Sequence, residues 1–482
     1  MLKYTPAWGA LTAALLTSLP AHAQAQAQVQ TRAAEAELQQ LRSQLQELRQ
    51  QYEVRLQALE ARLNQAQSVQ QAATQATETA EPVVAPPPTA SAKGNNAFNP
   101  AIGMILTGTY ANLSQDPDSW ALTGFRLGGD GHGVGPGSRG FSLGESEVTL
   151  SANVDNLAYG ALTLGLDADN EVGVEEAFVQ STALPYGLTL KGGRFLSALG
   201  YQNEQHAHTW SFVDLPLAHQ AFLGGSYKQD GAQLKWVLPT TQYLELGAEL
   251  GNGHAFPGSD RGANALGAAL LSARTGGDVG TSHSWRLGAS WLRTRANERA
   301  WGLGQGHAHA HVDADQADHD EASFSGTSRM WVLDGVWKWA PNGNGQRTNF
   351  TLQGEYFRRQ EAGNATIAPN DELPVGAEGS YRSSQSGWYV QGVYQFVPQW
   401  RVGVRYDRLS SGSLTLGSDV AEHLAQPEYN PQRTSLMLDW SPSEFQRWRI
   451  QLNQDQARQG VKDTQLYLQY QMSLGAHGAH SF

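Results

Sequence analysis

One stretch of the chain gathers the side chains a metal ion would choose. Glu204, His206, His208, Asp214 and His219 lie between Leu196 and Tyr227, a segment with no Lys or Arg. Imidazole nitrogens set beside carboxylate oxygens suit a borderline divalent cation such as zinc. The same histidines could equally pack against polar groups of a surrounding wall. A second tract alternates His307, His309 and His311 with alanines, then continues through Asp313, Asp315, Asp318, His319, Asp320 and Glu321. Gly302, Gly304 and Gly306 precede it, so the backbone there is conformationally free. Alternating histidine on an acidic tract is a compositional sign of weak, exchangeable metal capture; a pH-responsive solvated loop is the other reading. A third pair, His477 and His480, stands beside the terminal Phe482 and says less. No nucleophile motif accompanies these residues, so no enzyme is expected. No cofactor is required, and zinc enters as an ion carried or held by a loop.

What positions these residues is read from composition and period. The 482 residues include 52 Gly and no Cys, only 16% are charged, and the net charge is -12. That charge disfavours nucleic acid and leans toward cations. Lys3, the apolar run from Ala7 to Leu19 and the Ala21-His22-Ala23 site predict a cleaved signal peptide over 1–23. Leu38, Leu41, Leu45, Leu48 and Tyr52 recur at alternating steps of three and four. Leu56, Leu59 and Leu63 follow after a stutter. This predicts an α-helical coiled coil within 24–80, on the periplasmic side, that self-associates; a solvated spacer helix is the alternative. Residues 81–97 form a Pro-rich linker, Glu81-Pro82-Val83-Val84-Ala85-Pro86-Pro87-Pro88.

From residue 98 to 482 the period changes to two. Val148, Leu150, Ala152 and Val154 alternate with Glu147, Thr149, Ser151 and Asn153, and Trp388, Val390, Gly392, Tyr394 and Phe396 alternate with mostly polar neighbours. No helix-period segment is available to cover the apolar face, so lipid must cover it. Aromatics such as Trp331, Trp337, Trp400 and Tyr406 bracket that face, as interfacial girdles do. The predicted fold is an all-β transmembrane barrel of about sixteen antiparallel strands. They begin near Ile102, Glu145, Tyr159, Val174, Gly187, Ser226, Gln242, Ala263, Ser284, Ser328, Arg347, Ser386, Trp400, Arg433, Gln446 and Thr464. On this count the tight turns (155–157, 239–241, 341–345, 398–399, 442–443) share one rim. The long connections (111–144, 197–225, 294–327, 358–385, 410–432) share the other.

The phase opposite the lipid carries Glu245, Glu249, Arg286, Arg401 and Arg405, together with Glu147, Lys191, Lys235, Asp334, Lys338, Glu355, Asp407, Arg447 and Arg449. Charges left in lipid are costly, so these line water, and a barrel of this size leaves an aqueous channel. A lumen blocked by its own loops is the competing possibility.

Signal peptide, coiled coil, Pro-rich linker and barrel together resemble the coiled-coil-bearing, substrate-selective outer-membrane porins, which are trimers. Phe98-Asn99-Pro100-Ala101-Ile102, Gly140-Phe141-Ser142-Leu143-Gly144-Glu145, Gly193-Arg194-Phe195, His206-Ala207-His208-Thr209-Trp210 and the ending Gly475-Ala476-His477-Gly478-Ala479-His480 are similar to a proteobacterial family of zinc-regulated outer-membrane proteins. Its members are sometimes labelled TonB-dependent receptors. That label implies a plug ahead of the first strand of a barrel of about 22 strands, and the short span from linker to first strand leaves no room for one. The resemblance implies a Gram-negative outer-membrane location, a homotrimer, and a long connection after the fifth strand folded into the lumen as a constriction. It also implies recognition of Phe482 by the barrel-assembly machinery. The expected function is a porin-like channel for passive uptake of small solutes, with divalent metal as cargo. The alternative is a non-conducting surface barrel that binds metal or adheres.

Overall fold

A computed structural model of the chain describes residues 100–475, apart from 129–133, 167–170, 303–320, 370–372 and 374. The expected signal peptide, coiled coil and linker, the tract from His307 to Asp320, and His477, His480 and Phe482 lie outside the described residues.

Seventeen hydrogen-bonded segments form one sheet. Two of them, Gly140–Leu143 and Ser146–Asn153, pair with the same neighbour in registers offset by one residue. They are one strand carrying a bulge at Gly144 and Glu145. Counting them as one gives sixteen barrel strands. These are β1 (Ala101–Leu113), β2 (the two segments just named), β3 (Ala158–Leu166), β4 (Val172–Ser181), β5 (Leu188–Leu196), β6 (Lys228–Val237), β7 (Tyr243–Gly251) and β8 (Ala268–Val279). They continue as β9 (His283–Gly302), β10 (Glu321–Trp339), β11 (Asn349–Ile367), β12 (Ala377–Val397), β13 (Trp400–Leu416), β14 (Gln432–Ser443), β15 (Gln446–Gln456) and β16 (Asp463–Gly475). Each pairs antiparallel with its sequence neighbour, and β16 returns to β1 from Gly103↔Gly475 to Leu113↔Gln465. The sheet is therefore a closed up-and-down barrel with no free edge.

The expected division of connections holds. Residues 154–157, 182–187, 238–242, 280–282, 340–348, 398–399 and 444–445 turn at one rim, and the longer connections at the other. The wall is far taller on one side than expected. β9 to β13 run 17 to 21 residues each, against 9 to 10 for β3 to β7. The connections expected over 294–327 and 358–385 shrink to 303–320 and 368–376 as a result. These extensions, such as Ala377-Glu378-Gly379-Ser380 in β12, carry polar or small residues at their outward positions. The ladder continues where the lipid-facing signal has stopped.

Outward positions within the band are apolar: Leu287, Trp331, Leu333, Val404, Leu436 and Ile450 are each about half exposed. Register joins Trp400, Trp440, Trp448 and Tyr470 into one aromatic row across β13 to β16. A second row passes through Tyr356 and Trp388, with Tyr406 packed on Trp388 at 5.6 Å. On β12 the outward positions run from Trp388 to Phe396, next to the Val397 that pairs with Trp400, which at roughly 3.3 Å per residue separates the rows by about 26 Å along the strand. Apolar outside, polar inside and banded by aromatics, this wall matches a bilayer.

The interior is packed. The connection after β5 folds inward and carries a short helix, α1 (Leu217–Leu223), whose seven residues are all buried. Against it lie Leu270, Leu292, Met330, Val332, Phe357 and Leu409 from the wall, and Trp120, Leu122 and Phe125 from the connection after β1. A second apolar cluster joins α2 (Ser418–Leu424) to Trp301, Phe324 and Tyr381 near the tall rim.

Candidate functional site

The inward loop, 197–227, is held by hydrogen bonds to charged residues around the barrel wall. Glu249 on β7 accepts from the Ala198 N–H at 2.8 Å, and Glu355 on β11 accepts from Tyr201 and Gln202 N–H through Oε1. Glu204 pairs with Lys235 at 2.9 Å and with Arg274. Arg447 and Arg449 on β15 donate to the carbonyls of His208 and Trp210. Asp407 accepts from the Leu217 N–H, and His219 Nε2 meets Glu355 Oε2 at 2.6 Å. Each contact satisfies a loop backbone or side-chain group that the lumen would otherwise bury unpaired.

The five acidic and histidine residues of this loop split into four places, Glu204 being the one paired with Lys235 and Arg274. His206 and His208 come together, rings 5.8 Å apart, at a corner formed by β2 and β4. There His206 Nδ1 lies 3.4 Å from Glu175 Oε2 and 3.5 Å from Glu147 Oε2, while Nε2 lies 3.0 Å from Glu176 Oε2. His208 Nδ1 lies 3.0 Å from Glu147 Oε2. Asp214 is elsewhere: Arg405 and Arg433 hold its two oxygens at 2.7 and 2.8 Å, and Gln451 donates to it. His219 is wholly buried against Glu355, Phe357 and Tyr389. The structure therefore does not bring Asp214 or His219 to the paired histidines, because wall arginines and Glu355 already occupy them.

Burial pushes the His206 imidazole down, but hydrogen bonds to Glu175 and Glu176 outweigh it and lift its pKa well above the usual value. Burial opposes ionisation of Glu204 as well, yet Lys235 and Arg274 hold its carboxyl at about 2. Asp214 is likewise held at about 2 by Arg433 and Arg405 against burial. Glu204, His206 and Asp214 are thus each matched by a partner of opposite sign on the wall.

Glu175 and Glu176 were not among the lumen residues expected from period two, since consecutive residues should face opposite ways. A bulge in β4 breaks the rule: Thr163 pairs with Glu176, Leu164 with Val174, and Glu175 is the extra residue between them. Both carboxylates then face the lumen. The only hint in the sequence is a pair of acids inside an otherwise alternating strand.

Two cavities lie against the loop, of about 500 and 570 Å³, both among wall residues near the short-turn rim. The larger is lined by Glu176, Glu204, Glu245 and Asp278 facing Lys191, Lys235, Arg274 and Arg286. The smaller is lined by Lys338, Arg401 and Arg447 among glutamines, with Tyr201 and Trp210. Of the residues expected to line a pore, Glu245, Arg286 and Arg401 border these cavities. Glu249 and Arg405 are 1% exposed and anchor the loop instead. They face inward, but the loop has taken the space in front of them.

No family model matches the chain. An uncharacterized protein of Aquifex aeolicus (strain VF5) is 28% identical over 403 residues, covering 80% of each chain. Among solved structures, the chain is similar to a loop L8 deletion mutant of OmpT, an outer membrane protein of Vibrio cholerae (TM-score 0.48, 11% identity, 78% of this chain and 99% of that one). It is also similar to OprB of Pseudomonas putida (0.45, 13%, 78% and 94%). A third similarity is to the outer membrane channel DcaP of Acinetobacter baumannii (0.44, 10%, 78% and 97%).

Proposed function

We propose that this chain is a porin-like channel of a Gram-negative outer membrane, admitting small solutes passively, with divalent metal ions such as zinc as cargo. The observation that carries the reading is the charged lumen: a closed sixteen-stranded wall whose interior keeps two charge-lined cavities between an inward loop and the short-turn rim. A lipid-matched exterior has no use for such an interior unless water and ions enter it. The cation preference is supported by His206 and His208 beside Glu147, Glu175 and Glu176; the larger cavity is balanced, with carboxylates and basic side chains in equal number. Assembly as a homotrimer, a periplasmic coiled coil over 24–80, and insertion through the assembly machinery at Phe482 belong to the same proposal. So does capture of metal by the tract from His307 to His319.

Planar-bilayer recording of the refolded full chain tests it. Unit steps, grouped in threes for a trimer and altered by added zinc, are the expected result; a silent bilayer containing folded barrel sinks the channel. One observation favours a second reading, a non-conducting surface barrel that binds metal or adheres: α1 is completely buried, so the loop fills much of the lumen. Deleting 307–321 separates the parts, since zinc binding should weaken while potassium chloride conductance persists.

A further inference from the structure

We infer that Glu147, Glu175 and His206 form a resident site for one first-row divalent cation, which ties the inward loop to the barrel wall. This goes beyond the cargo reading above and does not depend on conduction.

The geometry is that of a coordination shell. Metal–ligand bonds of about 2.0–2.1 Å in a tetrahedron set neighbouring donors about 3.3 Å apart. His206 Nδ1 lies 3.4 Å from Glu175 Oε2 and 3.5 Å from Glu147 Oε2, and one donor atom from each of the three residues lies within 4.8 Å of the others. The other nitrogen of His206, Nε2, faces Glu176 Oε2 at 3.0 Å. A metal-bound histidine characteristically donates its free N–H to a carboxylate, which fixes the tautomer and aims the opposite nitrogen at the ion. Glu176 supplies that partner, so it is a positioning residue. Glu147 is 1% exposed, and its Oε1 is buried with no hydrogen-bond partner. A buried, unpaired carboxylate oxygen at this spot is costly without a cation to meet it.

Charge points the same way. Glu147, Glu175 and Glu176 converge, Glu145 adjoins Glu175, and Lys228 approaches Glu175 at 3.4 Å. Once a metal ion takes the place of the His206 Nδ1 proton, Glu147, Glu175 and Glu176 outnumber that lysine, which leaves room for a doubly charged ion. An imidazole nitrogen in the donor set selects zinc, cobalt or nickel over calcium and magnesium. His208, 3.0 Å from Glu147, stands beside the fourth position. The fold has made this space deliberately: Gly165 pairs with Glu147, and a Cβ there would meet Glu175 Cγ at 3.1 Å.

The test uses the full chain refolded in detergent, with His307, His309, His311 and His319 replaced by Ala so that the second tract does not mask the first. Cobalt is the probe, read by its visible absorption and stoichiometry. One equivalent per chain is expected. Glu147→Gln with Glu175→Gln should weaken binding more than about 100-fold, and Glu176→Gln by about 10–100-fold. At about 100 times its dissociation constant, cobalt should slow chymotrypsin cleavage at Tyr201 and Trp210 by about 100-fold. Unchanged cobalt spectra and affinity in the double variant overturn the site, as does cleavage indifferent to cobalt. Heat-modifiable migration on gels confirms that each variant folds, and Glu176→Gln, which keeps all three ligands, serves if the double variant does not. Cobalt binding without conductance removes the channel and leaves the site standing; conductance without cobalt binding does the reverse.

Discussion

Replacing Glu355 with Ala should unseat the inward loop. Both oxygens of this buried carboxylate are committed to the loop: Oε1 accepts from Tyr201 and Gln202 N–H, and Oε2 meets His219 Nε2 at 2.6 Å. It therefore ties the start of the loop to α1. Removing it leaves three buried donors unsatisfied at about 1–3 kcal/mol each, or roughly 3–6 kcal/mol once entering water recovers part. At about 1.4 kcal/mol per factor of ten, the unseated population should rise by about 10²–10⁴. Chymotrypsin reads that population, because Tyr201, Trp210 and Phe212 are cleavable only when the loop leaves its seat, and Phe212 is 1% exposed. Cleavage within the loop should accelerate by the same factor while the barrel keeps its heat-modifiable migration. In bilayers the variant should conduct more than the parent. Glu355→Gln keeps an acceptor for the two N–H groups, so it should change cleavage less than about tenfold. Equal cleavage rates for Glu355→Ala and the parent, with both barrels folded, would refute the claim that this carboxylate seats the loop.

Other expectations rest on separate features. Gly200 has φ of +76° and a Cβ there would stand 2.5 Å from Glu355 Oε1, so Gly200→Ala should lower the melting temperature and expose the loop to protease. Arg433→Ala removes one of the two arginines that hold buried Asp214, leaving Arg405 and Gln451, and should cost about 3 kcal/mol in urea unfolding from detergent. Leu436→Arg faces lipid and should cost about 2–4 kcal/mol when folding into vesicles is titrated with urea. Glu204 and Asp214 have pKa values of about 2 in the fold, below an unfolded value near 4. Their contribution is therefore fully present above about pH 4 and lost as pH falls toward 2. Loop cleavage by an acid-active protease should rise through that window.

The sixteen strands were legible because lipid on one side and water on the other stamp period two onto each of them. The signal fails where one of those solvents is missing. Above the bilayer, β12 continues from Ala377 to Ser384 with Tyr381 packed inward but polar or small residues facing out, so the sequence placed its start at Ser386. Inside the lumen, the histidines were visible as residue types, but their partners were not. His219 and Glu355 are 136 positions apart, and only the path of the inward loop brings them together. Asp214 appeared equivalent to His206 in composition; Arg405 and Arg433, from distant strands, make it a structural anchor.

The β4 bulge is the point where local backbone and proposed chemistry meet, and it can be removed cleanly. Without Glu175, Val174 and Glu176 become consecutive, opposite Leu164 and Thr163, and the ladder regains an unbroken alternation. Val174 still faces out and Glu176 still faces in, so deletion of Glu175 removes one carboxylate without turning the rest of the strand over. A bulge kept only for barrel shape should resist this change, and the deletion should then lower barrel stability sharply. A bulge kept to present two adjacent carboxylates predicts a folded barrel, melting within a few degrees of the parent, whose cobalt affinity falls as far as that of Glu175→Gln. A folded deletion variant with parental cobalt affinity would show that Glu175 is not a ligand.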